Sequence, residues 1–404
     1  MGRKRNVAQM TNGDPDAGLF PLAEEPGAAP FRGGTGVLPS QAILAMIRSR
    51  ELTAIPEIEP GQIQPASMDL RLGRYAYRVR ASFLPGAQSS VMDKVRQMDG
   101  YPPLDLADGA VLEKGCVYVV ELLETVRLPQ SVIGLANPKS STGRLDVLTR
   151  LIADHGTAFD QVERGYEGKL FAEIAPQTFS IVARTGSRLN QVRFQRGGAQ
   201  RGTPGVAGAE LARLYDQGQL TRSSGTRQPI RENLVPVTID LRGNGVGSVI
   251  GYRAKKHTDK IDIDRVGSYD PHEFWERIPY HREPALILDP DEFYILATAE
   301  EVGVPPMLAA EMVPYHTRSG EYRVHYAGFF DPGFGWNERA MGSRAVLEVR
   351  SHEVPFMLEH GQIVAWLRYE RMAALPDRIY GATLRSNYQN QGLALAKHFR
   401  PFGA

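Results

Sequence analysis

The sequence predicts a mainly β protein with two tandem β-barrel or β-sandwich domains and a few short helices. Short runs rich in Val, Ile, Tyr and Phe follow one another closely, separated by Gly, Pro and Asp, as in all-β folds. The chain also repeats itself, because residues 112–129 align with residues 288–305 without a gap, at an offset of 176 (288 − 112). Residues 67–71 and 238–242 align at nearly the same offset, 171 (238 − 67). We therefore predict two copies of one β unit.

Length and composition restrict the class of protein. A chain of 404 residues is long enough for two or three domains with their own cores. The formal net charge of +1 provides no global field for nucleic acid or an anionic membrane, and no apolar run approaches the ~20 residues of a membrane-spanning helix. The single Cys116 excludes an internal disulfide and fits a reducing compartment. We expect a cytoplasmic protein that binds a small molecule but neither nucleic acid nor membrane; a homo-oligomer is left open.

The pattern divides the chain into four parts. Residues 1–36 are rich in Gly, Pro, Ala and Asp and are predicted to be a flexible N-terminal arm. Residues 37–196 form the first domain, which opens with a helix that Ser40 caps. Residues 197–233 are a linker with a short helix, and residues 234–404 form the second domain with a C-terminal tail. Strands are predicted at residues 112–123, 171–183, 293–297, 345–350 and 363–369, and a charged surface insertion at residues 253–282.

A polar turn in the first copy is suited to bind an anion. Residues 137–144 read Asn-Pro-Lys-Ser-Ser-Thr-Gly-Arg, so the hydroxyls of Ser140 and Ser141 stand between the cations Lys139 and Arg144. Several donors with positive charge at close range suit phosphate oxygens. The Gly-x-x-x-x-Gly-Lys order of a Walker loop is absent, and an ordinary surface turn is the alternative.

Two glutamates occupy corresponding positions in apolar runs. Glu173 and Glu348 are separated by 175 residues (348 − 173), close to the offset of the repeat. Strand alternation places each carboxylate on the face opposite its immediate neighbours, which is either solvent or a site. A partly buried glutamate has a raised pKa and can transfer a proton near neutral pH. Recurrence in both copies favours a catalytic function.

Two further segments of the second copy could contact a ligand. Residues 327–333, Ala-Gly-Phe-Phe-Asp-Pro-Gly, end a predicted strand in a tight turn, which is either a structural hairpin or a backbone edge that recognises a base beside Phe329 or Phe330. Residues 380–392 carry Tyr, Arg, Asn and Gln on a Gly-containing stretch. Such a stretch either closes over a polar ligand or is a mobile tail.

Together these segments resemble the deoxycytidine triphosphate deaminases, which share the fold of the trimeric deoxyuridine triphosphatases. The resemblance covers most of residues 38–396 as two family units and implies two dUTPase-like domains of the β-clip type. It is carried by residues 69–73 (Asp-Leu-Arg-Leu-Gly), the Lys-Ser-Ser-x-x-Arg loop at residues 139–144, Ala-x-x-x-Asp-Pro-Gly at residues 327–333, Glu348 in its apolar strand, and Tyr388, Gln391 and Gly392 in the tail.

The resemblance also implies roles for individual residues. Glu348 would be the general base for a water that attacks C4 of cytosine, Ser140 and Arg144 would hold that water and the glutamate, and Glu173 would be a relic or the base of a second site. Magnesium would arrive on the triphosphate, with no metal site on the protein. Zinc-dependent nucleobase deaminases need a His/Cys/Cys or three-Cys set, which one cysteine cannot supply. The substrate would be bound by Lys139, Ser141, Ala327, Phe330, Asp331, Tyr380, Tyr388 and Gln391.

The copies differ where this chemistry is expected. The first copy keeps the Ser-Ser-Arg loop, but its Asp160 is followed by Gln-Val-Glu instead of Pro-Gly. The second copy keeps Asp331-Pro332-Gly333, but His316 and Thr317 stand opposite the two serines. We predict a composite site, with the loop from the first copy and the base pocket, Glu348 and the tail from the second. Whether each chain holds one or two sites is left open.

The predicted reaction is hydrolytic deamination of dCTP to dUTP and ammonia, which supplies a precursor of thymidylate. One alternative is cleavage of dUTP to dUMP and pyrophosphate, alone or after deamination. The other is a nucleotide-binding regulator without catalysis, for which the altered loop at His316 and Thr317 would be the sign. The sequence does not distinguish dCTP from dCMP or a modified cytosine.

Overall fold

The computed structural model describes residues 33–98, 100–197, 205–223, 225, 227–314, 322–325, 328–336, 342–351, 353–381 and 392–403. Strands dominate this part of the chain and its helices are short, so the prediction of a mainly β fold with few helices is confirmed. None of the helices in these ranges is long and apolar enough to cross a membrane.

Described residues up to 197 are called the first copy. Its elements are β1 (Gly36–Val37), α1 (Ser40–Arg48), β2 (Leu52–Ala54), a 3-10 turn (Pro60–Gln62), β3 (Met68–Leu70), β4 (Leu72–Val79), α2 (Val91–Gln97), β5 (Leu104–Asp105), β6 (Ala110–Leu112), β7 (Val117–Arg127), β8 (Val132–Pro138), α3 (Ser140–Gly143), β9 (Val147–Ala153), β10 (Gln161–Val162), β11 (Glu167–Pro176), β12 (Ile181–Ala183) and β13 (Asn190–Arg196).

Described residues from 205 onwards are called the second copy. Its elements are α4 (Gly208–Asp216), β14 (Thr221–Arg222), β15 (Val235–Thr238), β16 (Val249–Ala254), β17 (Ile261–Asp262), α5 (Pro271–Phe274), β18 (Trp275–Pro279), β19 (Ala285–Leu288), β20 (Phe293–Val302), β21 (Leu308–Pro314), β22 (Tyr322–His325), β23 (Phe329–Phe330), β24 (Ser343–Ser351), β25 (Phe356–Glu359) and β26 (Ile363–Arg371).

The two copies build corresponding sheets. In the first copy a six-stranded sheet has the order β5-β4-β7-β11-β9, with β2 also paired to β7. In the second copy the order is β18-β16-β20-β24-β22, with β14 also paired to β20. Val119 faces Glu173 on β11 as Ile295 faces Glu348 on β24, at offsets of 176 (295 − 119) and 175 (348 − 173). The predicted repeat is therefore present in the strand registers.

A shared sheet and a shared core join the copies. Strand β17 of the second copy pairs in parallel with β12 of the first, with Ile261 opposite Ile181. The aromatic side chains of Phe274 and Trp275 lie in the hydrophobic core cluster of the first copy and are only 1% and 2% exposed. The prediction of a surface insertion at residues 253–282 is therefore wrong, because this segment contributes a strand and core residues.

Two local predictions also need correction. The strand predicted at residues 171–183 is two strands, β11 and β12, because the chain leaves the sheet between Pro176 and Ile181. Helix α1 begins at Ser40 itself, and Pro39 stands at the capping position without a side-chain hydrogen bond. Proline is favourable at the start of a helix because its missing N–H has no partner there in any case.

Candidate active site

A cavity of about 500 Å³ lies where the two copies meet. The first copy contributes the loop that follows β8, and the second copy contributes the turn after β23, one face of β24 and part of the C-terminal segment. Eight of the twelve predicted site residues line this cavity: Lys139, Ser140, Ser141, Arg144, Phe330, Asp331, Glu348 and Tyr380.

The polar loop is held firmly at its base. Strand β8 ends at Pro138 and the single turn α3 follows, in which the hydroxyl of Thr142 donates to the carbonyl of Leu189 at 2.7 Å. The ammonium of Lys139 forms an ion pair with Asp69, whose side chain is only 3% exposed. The loop therefore presents its hydroxyls and cations to the cavity in a fixed position.

Arg144 extends from this loop into the second copy. Its side chain is 3% exposed, and its Nε lies 4.0 Å from Oε1 of Glu348. Its Nη1 donates to the carbonyls of Ala394 and Leu395, at 3.2 and 3.4 Å. One buried guanidinium thus joins the first-copy loop to a second-copy strand and to the C-terminal segment.

Glu348 is a buried carboxylate with a strongly altered acidity. Burial raises the pKa of Glu348 to about 8, the nearby Arg144 opposes this rise, and the carboxylate of Asp146 adds to it. Arg350 stands two residues after Glu348, and Asp146 stands two residues after Arg144. Arg350 donates to Asp146 through Nε at 2.9 Å and through Nη2 at 2.5 Å. Because alternate strand residues share a face, Glu348 and Arg350 both point toward the first copy. Two successive inter-copy ion pairs therefore fix the position of Glu348.

The turn after β23 forms the opposite wall. The ring of Phe330 packs edge-on against Phe334 at 5.0 Å between centroids, and Phe334 lies 5.8 Å from the ring of Tyr380. The backbone N–H of Tyr380 donates to the carbonyl of Pro332 at 2.9 Å. Gly333 has φ +95°, and a Cβ there would lie 2.7 Å from the carbonyl oxygen of Tyr380, so this position requires glycine.

A fully buried arginine of the first copy positions this wall. Arg193 on β13 donates through Nη1 to the carbonyl of Ala310 at 3.1 Å, and through Nη2 to Oδ1 of Asp331 at 3.2 Å and the carbonyl of Phe330 at 3.4 Å. Its guanidinium lies 4.0 Å from the centre of the Phe329 ring, within the range of a cation–π contact. Burial raises the pKa of Asp331, and Arg193 opposes that rise.

Glu173 does not line the cavity. It lies on β11 with 1% side-chain exposure, and Arg150 binds its Oε1 through Nε at 3.0 Å and Nη2 at 2.5 Å. Arg150 also donates to the hydroxyl of Ser82 at 2.7 Å, and its guanidinium lies 3.7 Å from the centre of the Phe159 ring. Arg150 stands opposite Glu173 in the sheet where His325 stands opposite Glu348. The first-copy glutamate is therefore part of a buried ion pair away from the other predicted site residues.

Three predicted substrate-binding residues, Ala327, Tyr388 and Gln391, lie outside the described residues, as do His316 and Thr317 of the altered loop.

Sequence reasoning missed several residues of the cavity wall. Asp69 could have been identified from the sequence, because it belongs to the repeated Asp-Leu-Arg motif. It lines the cavity but was not predicted as a site residue. Arg188, Asp264, Lys397 and His398 line the cavity without any local pattern that could have identified them. Their contribution arises only from the tertiary structure.

Among the described residues, no group of three or more His, Cys, Asp and Glu side chains is arranged to hold a metal ion. The sequence-based expectation of a zinc-free reaction remains a prediction.

A cavity of this kind belongs to an enzyme of nucleotide chemistry, since a buried carboxylate with a raised pKa and a cationic, hydroxyl-bearing loop face the same space. Comparison with known proteins identifies the family. The family model described as 2'-deoxycytidine 5'-triphosphate deaminase (DCD) N-terminal domain matches residues 34–198, and the model for the C-terminal domain matches residues 207–399. The chain therefore belongs to the dCTP deaminase family, and its activity is the deamination of dCTP.

Individual relatives agree with this assignment. The crystal structure of 2'-deoxycytidine 5'-triphosphate deaminase from Agrobacterium tumefaciens is 49% identical, with a TM-score of 0.78, and the match covers 84% of this chain and 99% of that chain. The dCTP deaminase of Haloarcula marismortui is 29% identical over 160 residues, which are 39% of this chain and 79% of the relative. The "dCTP deaminase, dUMP-forming" of a Nocardioides species is 32% identical over 149 residues, which are 35% of this chain and 71% of the relative.

Proposed function

We propose that deamination of dCTP is hydrolytic and zinc-independent and takes place in one composite site per chain. The observation that carries this proposal is the meeting of Glu348 from the second copy with Arg144 from the first, at 4.0 Å on the wall of the same cavity. Each copy would have the β-clip architecture of the dUTPase-like fold. A site of this kind needs both copies, because the second copy provides the glutamate and the first copy provides the loop.

Glu348 acts as the general base in this proposal. Its carboxylate accepts one proton from water while the water oxygen attacks C4 of cytosine, and that proton passes to N3, which takes the electrons of the broken C4–N3 double bond. The second water proton then passes from the C4 hydroxyl to the amino nitrogen, the C4–N bond breaks, ammonia leaves and the C4 carbonyl forms. The balance is dCTP plus water to dUTP plus ammonia. A pKa of about 8 suits this exchange, because a group that titrates near the working pH can both accept and release a proton. Arg144 favours the charged form of Glu348 and so increases the fraction of the carboxylate that is deprotonated and can accept a proton.

The remaining cavity residues hold the nucleotide in register. Lys139 and the hydroxyls of Ser140 and Ser141 bind phosphate oxygens and the attacking water, since hydroxyl and ammonium donors suit both. Phe330 and Asp331 contact the base and sugar. The substrate enters as its magnesium complex, with the ion carried by the triphosphate. Precise placement of base and water matters because reacting groups must lie within hydrogen-bond reach.

Ala327, Tyr380, Tyr388 and Gln391 complete this proposed set of substrate contacts. Tyr380 is held beside the aromatic wall at Phe334, whereas the other three rest on the sequence resemblance alone.

Turnover by matched glutamate variants tests the proposal. Wild-type protein incubated with dCTP and magnesium should release ammonia and dUTP in equal amounts. The Glu348→Gln variant should lose about 10²–10⁴-fold in kcat, the usual contribution of a positioned general base. The Glu173→Gln variant should keep turnover, because Glu173 lies outside the cavity. A dead Glu173→Gln beside an active Glu348→Gln would refute the composite site while leaving the activity intact.

Pyrophosphate release in the same assay tests a second candidate. The similarity to a relative named as dUMP-forming favours measuring it. Release of pyrophosphate and ammonia in equal amounts would show that this chain also cleaves dUTP. Accumulation of dUTP without pyrophosphate would show that deamination is its complete reaction.

A further inference from the structure

The C-terminal segment returns to the cavity and is held there by backbone hydrogen bonds. The N–H groups of Gly267 and Ser268 donate to the carbonyls of Lys397 and His398, each at 2.9 Å, and the N–H of Arg400 donates to the carbonyl of Tyr269 at 2.9 Å. These bonds fix residues 397–400 along one stretch of the second copy.

Aromatic packing secures the same segment. The ring of Phe399 lies 5.4 Å from that of Phe274 and 5.9 Å from that of Trp275, and both of these rings are buried in the core. Arg144 holds the segment from the other side through the carbonyls of Ala394 and Leu395. These contacts together therefore hold the backbone of Lys397 in a fixed position.

The side chain of Lys397 lines the cavity among charged groups of the first copy. Burial lowers the pKa of Lys397 most, and the cations Lys139 and Arg188 lower it further, whereas Asp69 and Asp264 raise it. Lys139 is paired with Asp69, and Arg188 donates to Glu59 at 2.5 Å. Lys139, Arg188 and Lys397 thus line the same part of the cavity. Asp69 and Asp264 offset part of the repulsion between these cations, and a polyanion there would offset more of it.

The neighbouring histidine adds no charge to this wall. The Nε2 of His398 lies 2.9 Å from the carbonyl of Ile263, which can only accept, so Nε2 carries the proton. Burial is the main cause that lowers the pKa of His398 to about 4, and its ring is neutral at physiological pH. Lys397 is therefore the charged contribution of this segment to the cavity.

We propose that Lys397 binds the polyphosphate of the nucleotide beside Lys139, and so sets the preference for a triphosphate over a monophosphate. This inference rests on the proposed function, since it assigns the phosphate end of the same cavity. It follows from the fixed backbone of Lys397, its place on the cavity wall and the concentration of cations around it. In this assignment the base lies beside Glu348 and Phe330, and the phosphates lie beside Lys139 and Lys397.

Binding and kinetics of a Lys397→Met variant test this assignment. The KM for dCTP should rise about 10–100-fold, the usual consequence of losing a charge-assisted hydrogen bond, with less than a threefold change in kcat. The Kd for dCMP should change less than threefold. Lys397→Arg should restore most of the affinity for dCTP, because it restores the charge. The matched control is Lys114→Met, at an exposed lysine outside the cavity, which should behave as wild type.

Two results would overturn the assignment. Equal weakening of dCTP and dCMP in Lys397→Met would show that the lysine acts on the base, the sugar or the fold, and unchanged dCTP binding would show that it does not touch the ligand. Calorimetric titration with dCTP, dCMP and inorganic pyrophosphate measures binding and needs no turnover. Its result is therefore independent of the test of the proposed function, which measures ammonia release. A wild-type protein that binds dCTP through Lys397 but releases no ammonia would refute the hydrolytic proposal and leave this one standing.

Discussion

The two glutamates of the repeat show how the same residue in the same sheet position can have different surroundings. Glu173 and Glu348 are both buried, and both lie on the strand next to the centre of a six-stranded sheet. The difference lies in the arginine beside each carboxylate. Arg150 binds Glu173 at hydrogen-bond distance, whereas Arg144 from the other copy lies 4.0 Å from Glu348. Burial beside a loosely paired arginine raises the pKa of Glu348 into a range that is useful for proton transfer.

Replacement of Glu348 should increase stability at high pH. The folded-state pKa of Glu348, about 8, lies above the usual 4.5 of the unfolded chain, so its contribution to stability is present below pH 4.5 and is lost as the pH rises through 8. Glutamine cannot ionise. Glu348→Gln should therefore be more stable than wild type at pH 8.5, on the order of a few kcal/mol, and the difference should vanish toward pH 5. Urea unfolding at both pH values measures this.

Glu173→Gln provides the control, because it removes the carboxylate that pairs with the partly exposed Arg150 and should be less stable than wild type at pH 8.5. A Glu348→Gln variant that is less stable than wild type at pH 8.5 would contradict the assigned origin of the raised pKa.

Several elements could be predicted from the sequence because their signals are local. Strands β7 and β20 are rich in apolar residues, and their similarity revealed the repeat. The polar loop and Glu348 were identified by residue type and order. The composite site was predicted from the different losses in the two copies, and the structure does bring Arg144 and Glu348 together. These predictions needed neighbouring residues, one internal comparison and the resemblance to a known family.

Other elements could not be predicted, because distant partners determine them. Strand β17 has two residues, and it exists because β12, eighty residues earlier (261 − 181), offers an edge. Residues 253–282 look like a surface insertion, since charged residues surround the few aromatic side chains that enter the core. Arg193 and Lys397 give no local signal at all. Their surroundings come from the other copy or from a distant segment of the chain.

Arg193 is a positioning residue for the turn after β23. Arg193→Lys should fold, because the positive charge remains, but one ammonium cannot replace the several directed bonds of the guanidinium. We expect a loss of about 1–3 kcal/mol in stability and a rise of tenfold or more in the KM for dCTP, with a smaller change in kcat. Denaturant unfolding and steady-state kinetics measure the two effects separately.

The exposed Arg213 on α4 offers a matched control, and Arg213→Lys should leave both stability and KM as in wild type. A purely structural function of Arg193 would lower stability in Arg193→Lys without changing the KM.

At the scale of the whole molecule, the two copies are joined in their cores, in their sheets and at the cavity. Their cores merge at Phe274 and Trp275, their sheets join through β17 and β12, and the ion pairs Arg144–Glu348 and Arg350–Asp146 connect them at the cavity. Each feature lies within one chain.

Two inactive variants should therefore fail to complement each other. Arg144→Gln removes the first-copy contribution and Glu348→Gln removes the second, so a chain with either change lacks a complete site. When both variants are co-expressed or refolded together, we expect no more ammonia release from dCTP than the sum of the separate variants gives. A mixture of wild type with Glu348→Gln is the control and should retain activity in proportion to the wild-type chain. Recovery of a substantial fraction of activity in the double-variant mixture would show that sites form between chains.

The pairing of Arg144 with Glu348 across the repeat also has a genetic consequence. A cell that expresses this gene makes the two parts of its catalytic centre in a fixed one-to-one ratio, whatever the level of expression. If the site is composite as proposed, recombination between the repeats that left a shorter open reading frame with one of them would yield a null allele, and neither repeat could be deleted.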